Sequence, residues 1–148
     1  REIMLECEKK HEKFVLPHDV IVASEISEKA QTKDIPIEDI EGDMKILDIG
    51  KWTTDKYENI ISKSKTVIWN GPLGLSEYKL FSKGTEKIAK YLAKNKCVSI
   101  IGGGDTADAL KRLKIPSKNF THISTGGGAC IEFLSGTMLP GIKVLLAA

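Results

Sequence analysis

Nowhere in this chain does an apolar run approach the roughly 20 residues that a bilayer-crossing helix needs. The charged opening Arg1-Glu-Ile-Met-Leu-Glu6 also lacks the apolar centre of a secretion signal. These absences exclude a helical membrane anchor within the sequence and favour the cytoplasm. Net charge is scarce too: 22 basic residues against 20 acidic ones leave a formal +2, and Lys and Glu alternate along the chain. No nucleic-acid partner is implied by such a balance. The three cysteines, Cys7, Cys97 and Cys130, are widely separated and form no Cys-x-x-Cys pair, which excludes a disulfide framework. Cys97 and Cys130 stand among apolar residues and read as buried thiols of a reducing compartment. His11, His18 and His122 have no Cys or Asp at zinc spacing. His122, between Thr121 and Ile123, reads as a hydrogen-bonded structural histidine. Ser124 precedes glycines without centring a Gly-x-Ser-x-Gly elbow, so no Ser-His-Asp set is found. Low-complexity tracts, heptads and flexible Gly/Ser linkers are absent as well.

What is present is enough chain for one substantial core: 148 residues, near the commonest size of a single domain. The first residue is Arg and the opening enters in mid-helix, so a piece of a longer chain is expected. Glu2 to Phe14 favours helix and Pro17 stops it. Short apolar strands are predicted at Val20–Ala23, Met44–Ile49, Thr66–Trp69, Cys97–Ile101 and Thr121–Ile123. Helices are predicted from Thr53 or Thr54 through Ser62, from a Ser82 cap to Asn95, from Asp105 or Thr106 to Leu113, and through Leu134. The stretch Ser24–Asp43 is an excursion with room for a small antiparallel element around Ala30–Ile37. Strands alternating with helices predict a three-layer, mostly parallel α/β sheet of Rossmann-like form. Ligands of such sheets bind beyond the carboxyl ends of the strands.

Three glycine turns fall at those ends: Trp69-Asn-Gly-Pro-Leu-Gly74, Ile101-Gly-Gly-Gly-Asp-Thr106 and Ser124-Thr-Gly-Gly-Gly-Ala129. Glycines let the backbone approach phosphate oxygens, and the amides that open the next helix have no intrahelical acceptor. Gly103, Gly104, Asp105 and Thr106 are therefore candidate nucleotide-phosphate contacts. Asp105 can hold a divalent cation against those oxygens or serve only as a helix cap. The run lacks both the spaced Gly-x-Gly-x-x-Gly of dinucleotide sites and the Gly-Lys-Ser/Thr of a Walker loop. Gly126–Gly128 can present a second nest of amides to developing negative charge, or can allow a strand and helix to pack closely. Asn70 can reach a ligand or cap its own turn, Pro72 stiffens that turn, and Trp69 suits the core or a stacking platform.

Taken in order, Leu16-Pro-His-Asp19, Leu47-Asp-Ile-Gly50, Thr66–Gly74, Phe81-Ser-Lys-Gly84, Ile101–Thr106, His122–Ala129 and Leu139-Pro-Gly141 resemble the carboxyl-terminal domain of phosphoglycerate kinase over nearly the whole chain. The resemblance implies a monomeric, cytoplasmic, glycolytic enzyme moving the acyl phosphate of 1,3-bisphosphoglycerate to ADP, giving 3-phosphoglycerate and ATP. It further implies that Asp105 holds the nucleotide's magnesium and that Gly103, Gly104 and Thr106 lie along its phosphates. Glu77 would bind the ribose, Ile46 would lie near the adenine, and Asn70 with Pro72 would shape the pocket. Gly104, Gly127 and Gly128 would approach the transferred phosphate.

Residues 1–148 then constitute most of the nucleotide-binding domain, incomplete relative to the two-domain kinase. The amino-terminal, phosphoglycerate-binding domain and a Gly-Gly-Ala-Lys segment have no counterpart in the 148 residues. The chain alone is accordingly expected to be inactive. The sequence departs from its relatives at Ser76 in Gly74-Leu-Ser-Glu77, where an aromatic is common, at Ile46, where glycine is common, and at Cys130, where serine is common. A noncatalytic nucleotide-binding or interaction module is the alternative function.

Overall fold

The computed structural model describes residues 2–10 and 13–146. Its elements are α1 (Glu2–Lys9), β1 (Asp19–Ala23), β2 (Lys33–Pro36), β3 (Lys45–Ile49), α2 (Lys51–Ser62), β4 (Thr66–Asn70), α3 (Lys83–Leu92), β5 (Val98–Gly102), α4 (Gly104–Arg112), β6 (His122–Ser124), α5 (Gly127–Leu134) and α6 (Pro140–Leu146). The α/β class is as expected, and β4-β5-β6 form a parallel sheet joined by helical crossovers. The expected single sheet divides, however. β1 pairs antiparallel with both β2 and β3 in a second sheet, with a register shift between Ile21 and Val22. The reason is the connection: parallel pairing needs a crossover, usually a helix, whereas the segment between β1 and β3 doubles back through β2. The antiparallel element expected near Ala30–Ile37 is that strand.

Two apolar clusters result. Trp69, Ala89, Leu92, Ile101, Leu110 and Phe120 form the core of the parallel sheet, and Ala23, Ala30, Leu47 and Phe81 form that of the antiparallel one. Helix α3 packs against β3, α2 and α4, and its buried Ile88, Ala89 and Leu92 give it an apolar face at helical spacing. Trp69 is thereby a core residue, its indole N–H donating to the Gly71 carbonyl at 2.7 Å.

Local boundaries differ from the sequence reading in instructive ways. Helix α1 ends at Lys9, short of Phe14, and buries none of its residues. Thr53 and Thr54 lie inside the first turn of α2, whose N-cap is Gly50. The cap is tertiary: Asp19, on β1, accepts from the Trp52 and Thr53 N–H groups at 2.8 and 2.7 Å. Ser82 holds the N-cap position of α3 as expected, but its hydroxyl donates to the Lys79 carbonyl instead of accepting from the helix. Cys97 and Cys130 are half-buried, not buried. His122 is exposed on β6, an edge strand of the parallel sheet. His11 lies outside the described residues. Among the described residues no helix is long and apolar enough to cross a membrane.

Candidate functional site

The three parallel strands end level. Asn70 on β4 is in register with Gly102 on β5, and Gly102 with Ser124 on β6. All three glycine turns therefore leave the same edge of the sheet. Gly103 takes φ +94°, a conformation that favours glycine, and reverses the chain into α4. Its N–H donates to the Ser124 carbonyl at 2.9 Å, tying the second turn to the third.

The helices that follow nearly touch at their starts. A methyl group at Gly127 would lie 2.8 Å from the Gly103 α-carbon and 3.0 Å from Asn70 Oδ1, and one at Gly102 would lie 2.8 Å from the same oxygen. The Asn70 amide is thus packed between two glycine turns, which neither of its sequence-based alternatives anticipated. The first intrahelical bonds are Ala107 N–H to Gly103 O and Cys130 N–H to Gly126 O. The amides of Gly104, Asp105 and Thr106, and of Gly127, Gly128 and Ala129, precede those bonds and have no acceptor within their helices. Gly104, Asp105 and Gly128 are exposed. The result is a rim of free amides between two helix N-termini, an arrangement that suits an anion, with one carboxylate, Asp105, on its edge.

The neighbouring loop is held rigidly. Thr106 is fully buried and its hydroxyl accepts the Gly71 N–H at 2.8 Å, so that side chain serves the loop and leaves only its backbone amide for a ligand. The Leu73 N–H donates to Thr85 Oγ1 at 2.9 Å, and the Leu75 N–H to the Leu47 carbonyl at 2.8 Å. Pro72 and Ile46 both line an apolar cavity of about 420 Å³, together with Leu47, Leu73 and Gly74. A flat, apolar ring suits such walls. Ile46 is 58% exposed and stands at the mouth.

Glu77 is not gathered at the rim. It lies in a separate concavity of about 360 Å³, with its Oε1 3.6 Å from Arg112 Nη2. Asp105 and Arg112 occupy opposite ends of α4, roughly 10 Å apart along its axis at 1.5 Å per residue.

The sequence reading missed Asp48. It is 2% exposed and sits between Gly74 and Gly84, on the floor of the apolar cavity. Burial pushes its carboxyl up to about 6, against the lowering effect of the Gly84, Ile49 and Lys83 N–H groups. The available signal was one acidic residue inside the apolar run Ile46-Leu-Asp-Ile49. Asp19 shows the opposite balance. Burial raises its carboxyl, but the Thr53 hydroxyl and the Thr53 and Trp52 N–H groups together hold it below the usual range.

The phosphoglycerate kinase family profile matches residues 1–137. The chain is 49% identical over 146 residues to phosphoglycerate kinase of Dictyoglomus turgidum, covering 98% of this chain and 37% of that protein. It is 47% identical over 133 residues to the Borrelia turicatae enzyme, covering 90% and 34%. Among solved structures, phosphoglycerate kinase from Coxiella burnetii superposes with a TM-score of 0.89 at 38% identity, covering 97% of this chain and 37% of that one. That from Pyrococcus horikoshii gives 0.74 at 31%, covering 98% and 37%. The chain spans about a third of the length of these relatives.

Proposed function

This chain belongs to the phosphoglycerate kinase family, and from that premise we propose that it supplies the nucleotide side of a reversible phosphoryl transfer between 1,3-bisphosphoglycerate and ADP, giving 3-phosphoglycerate and ATP. It corresponds on this reading to most of the carboxyl-terminal domain of a monomeric, cytoplasmic, glycolytic kinase. The observation that carries the reading is the convergence of the α4 and α5 N-termini, glycine against glycine, at the level ends of β4, β5 and β6. Two sets of outward amides on one rim suit the oxygens of a phosphoryl chain better than a single helix start does.

Each residue then has a task. Gly103 turns the chain so that the amides of Gly104, Asp105 and Thr106 face the phosphates. Gly127 and Gly128 offer amides to the phosphoryl group in transit, where charge spreads over its oxygens. Ile46 and Pro72 take the base between them, Asn70 keeps the two turns in register, and Glu77 accepts hydrogen bonds from the ribose. No protein nucleophile is required, because positioning and electrostatic stabilisation supply most of the catalysis in phosphoryl transfer.

The donor set fits a magnesium ion carried in with the nucleotide. Asp105 offers one exposed carboxylate beside the amides, and no cluster of three or more metal-ligating side chains occurs among the described residues. Such an ion takes one carboxylate, phosphate oxygens and water. When bound, it neutralises charge on the phosphates.

The test is phosphoglycerate-dependent ATP consumption, measured for the 148-residue chain and for the polypeptide extended to the length of its relatives. Turnover confined to the longer form is expected, because the acyl-phosphate side of the cleft must come from another domain. Failure of the extended, folded form to bind magnesium ADP would overturn the reading.

A further inference from the structure

The concavity beside Glu77 holds an arginine that this assignment leaves without a task. Arg112, the last residue of α4, donates from Nη2 to Ser76 Oγ at 2.9 Å and stands 3.6 Å from Glu77 Oε1. The two charged side chains are 42% and 54% exposed. An ion pair so open to water contributes little to stability, so stability does not explain the arrangement. Ser76, in contrast, is buried. Its hydroxyl gives the guanidinium a fixed point beneath the surface, and a planar fork anchored at one partner has its direction toward the next largely set. A small side chain at position 76 is what lets Arg112 reach that point.

We infer that Arg112 is a positioning residue for Glu77: anchored on Ser76, it holds the Glu77 carboxylate at the wall of the concavity, ready to accept the vicinal hydroxyls of a ribose. The inference rests on Glu77 being the ribose contact. A carboxylate has two acceptor oxygens and no donor, which matches a diol with two O–H donors. A glutamate free on the surface loses rotamer freedom on binding, and one already held loses less. Lys79, Ser82, Glu86 and Lys114 line the same concavity, but none of them makes the buried anchor that Arg112 has.

The experiment is calorimetric titration of the full-length polypeptide with magnesium ADP and with magnesium 2′-deoxy-ADP. The readout is the ratio of the two affinities. Glu77→Gln is expected to bring that ratio close to one. Arg112→Met and Ser76→Ala are each expected to lower it about three- to tenfold, the size of one hydrogen bond's net contribution, with Arg112→Lys between them and the parent. In the Glu77→Gln background, Arg112→Met should change nothing further. If Glu77→Gln lowers the ratio and Arg112→Met does not, the positioning role is overturned while the ribose reading stands. Equal weakening of both nucleotides by Arg112→Met also overturns it, since that is the effect of charge alone. An unchanged ratio in Glu77→Gln overturns the ribose reading and the inference with it. All these side chains lie outside the two apolar clusters, and thermal melts of each variant confirm that the comparison is between folded proteins.

Discussion

Asp48 Oδ2 accepts the Gly84 N–H at 2.8 Å, so a carboxylate from within β3 closes the first turn of α3. Asp48 Oδ1 accepts the Ile49 N–H at 2.9 Å. A methyl group at Gly74 or at Gly84 would come within 2.4 or 2.5 Å of that second oxygen, so both positions must stay bare. The same carboxylate therefore fixes a helix start and the loop that lines the apolar cavity.

That burial has a pH consequence. With its folded-state value raised to about 6 from 3.8, Asp48 binds more protons in the native state than in the unfolded chain between those values. Its contribution to stability therefore falls as pH rises from about 4 to 6, by roughly 3 kcal/mol at 1.36 kcal/mol per unit. Urea unfolding midpoints of the parent and of Asp48→Asn across that window should diverge as this difference. Parallel pH profiles would refute the assignment.

Asp19 should behave in the opposite sense. Its folded-state value is depressed, so the stability it provides is present above the ordinary carboxylate range and is lost as pH falls through the folded value. Asp19→Ala removes the acceptor of the Trp52 and Thr53 N–H groups and of the Thr53 hydroxyl. A loss of about 2–4 kcal/mol is expected at neutral pH. Chemical denaturation measures it, and a loss under 1 kcal/mol would mean that Gly50 caps α2 without help.

The two helix-start glycines should separate cleanly. Gly127→Ala drives a methyl group into the Gly103 backbone, whereas Gly128→Ala meets open space. A melting temperature lowered several degrees in the first variant and little changed in the second is the expected pair of results. Equal melting temperatures would show that α4 and α5 do not start in contact.

Calorimetry with ADP, with and without magnesium, is the direct probe of the rim. Asp105→Ala should weaken binding tenfold or more when magnesium is present and only slightly when it is not, since the carboxylate acts through the ion. Equal weakening in both conditions would assign Asp105 to its helix and not to a metal.

The parallel half of this protein, and the sheet edge at which its glycine turns gather, were legible in the chain before any fold was known. Apolar strands broken by glycine turns are local signals: a turn that needs a positive φ or a close backbone approach needs glycine, as at Gly103 and Gly127. The order of those phrases also carried the family. Which helix starts meet, and what occupies the gap between them, depended on strand register across β4, β5 and β6. Asn70 gained its place there from contacts far along the chain. The antiparallel pairing of β1 with β3 was hidden for the same reason, because an apolar strand reads alike in either direction. Thr53 and Thr54 looked like caps because helix capping is usually local, and Ser82 does hold the N-cap of α3, though without a side-chain bond to its helix. Asp19 and Asp48 supply the side-chain acceptors of these helix starts from 34 and 36 residues away, and folding alone brings a carboxylate over that distance and buries it.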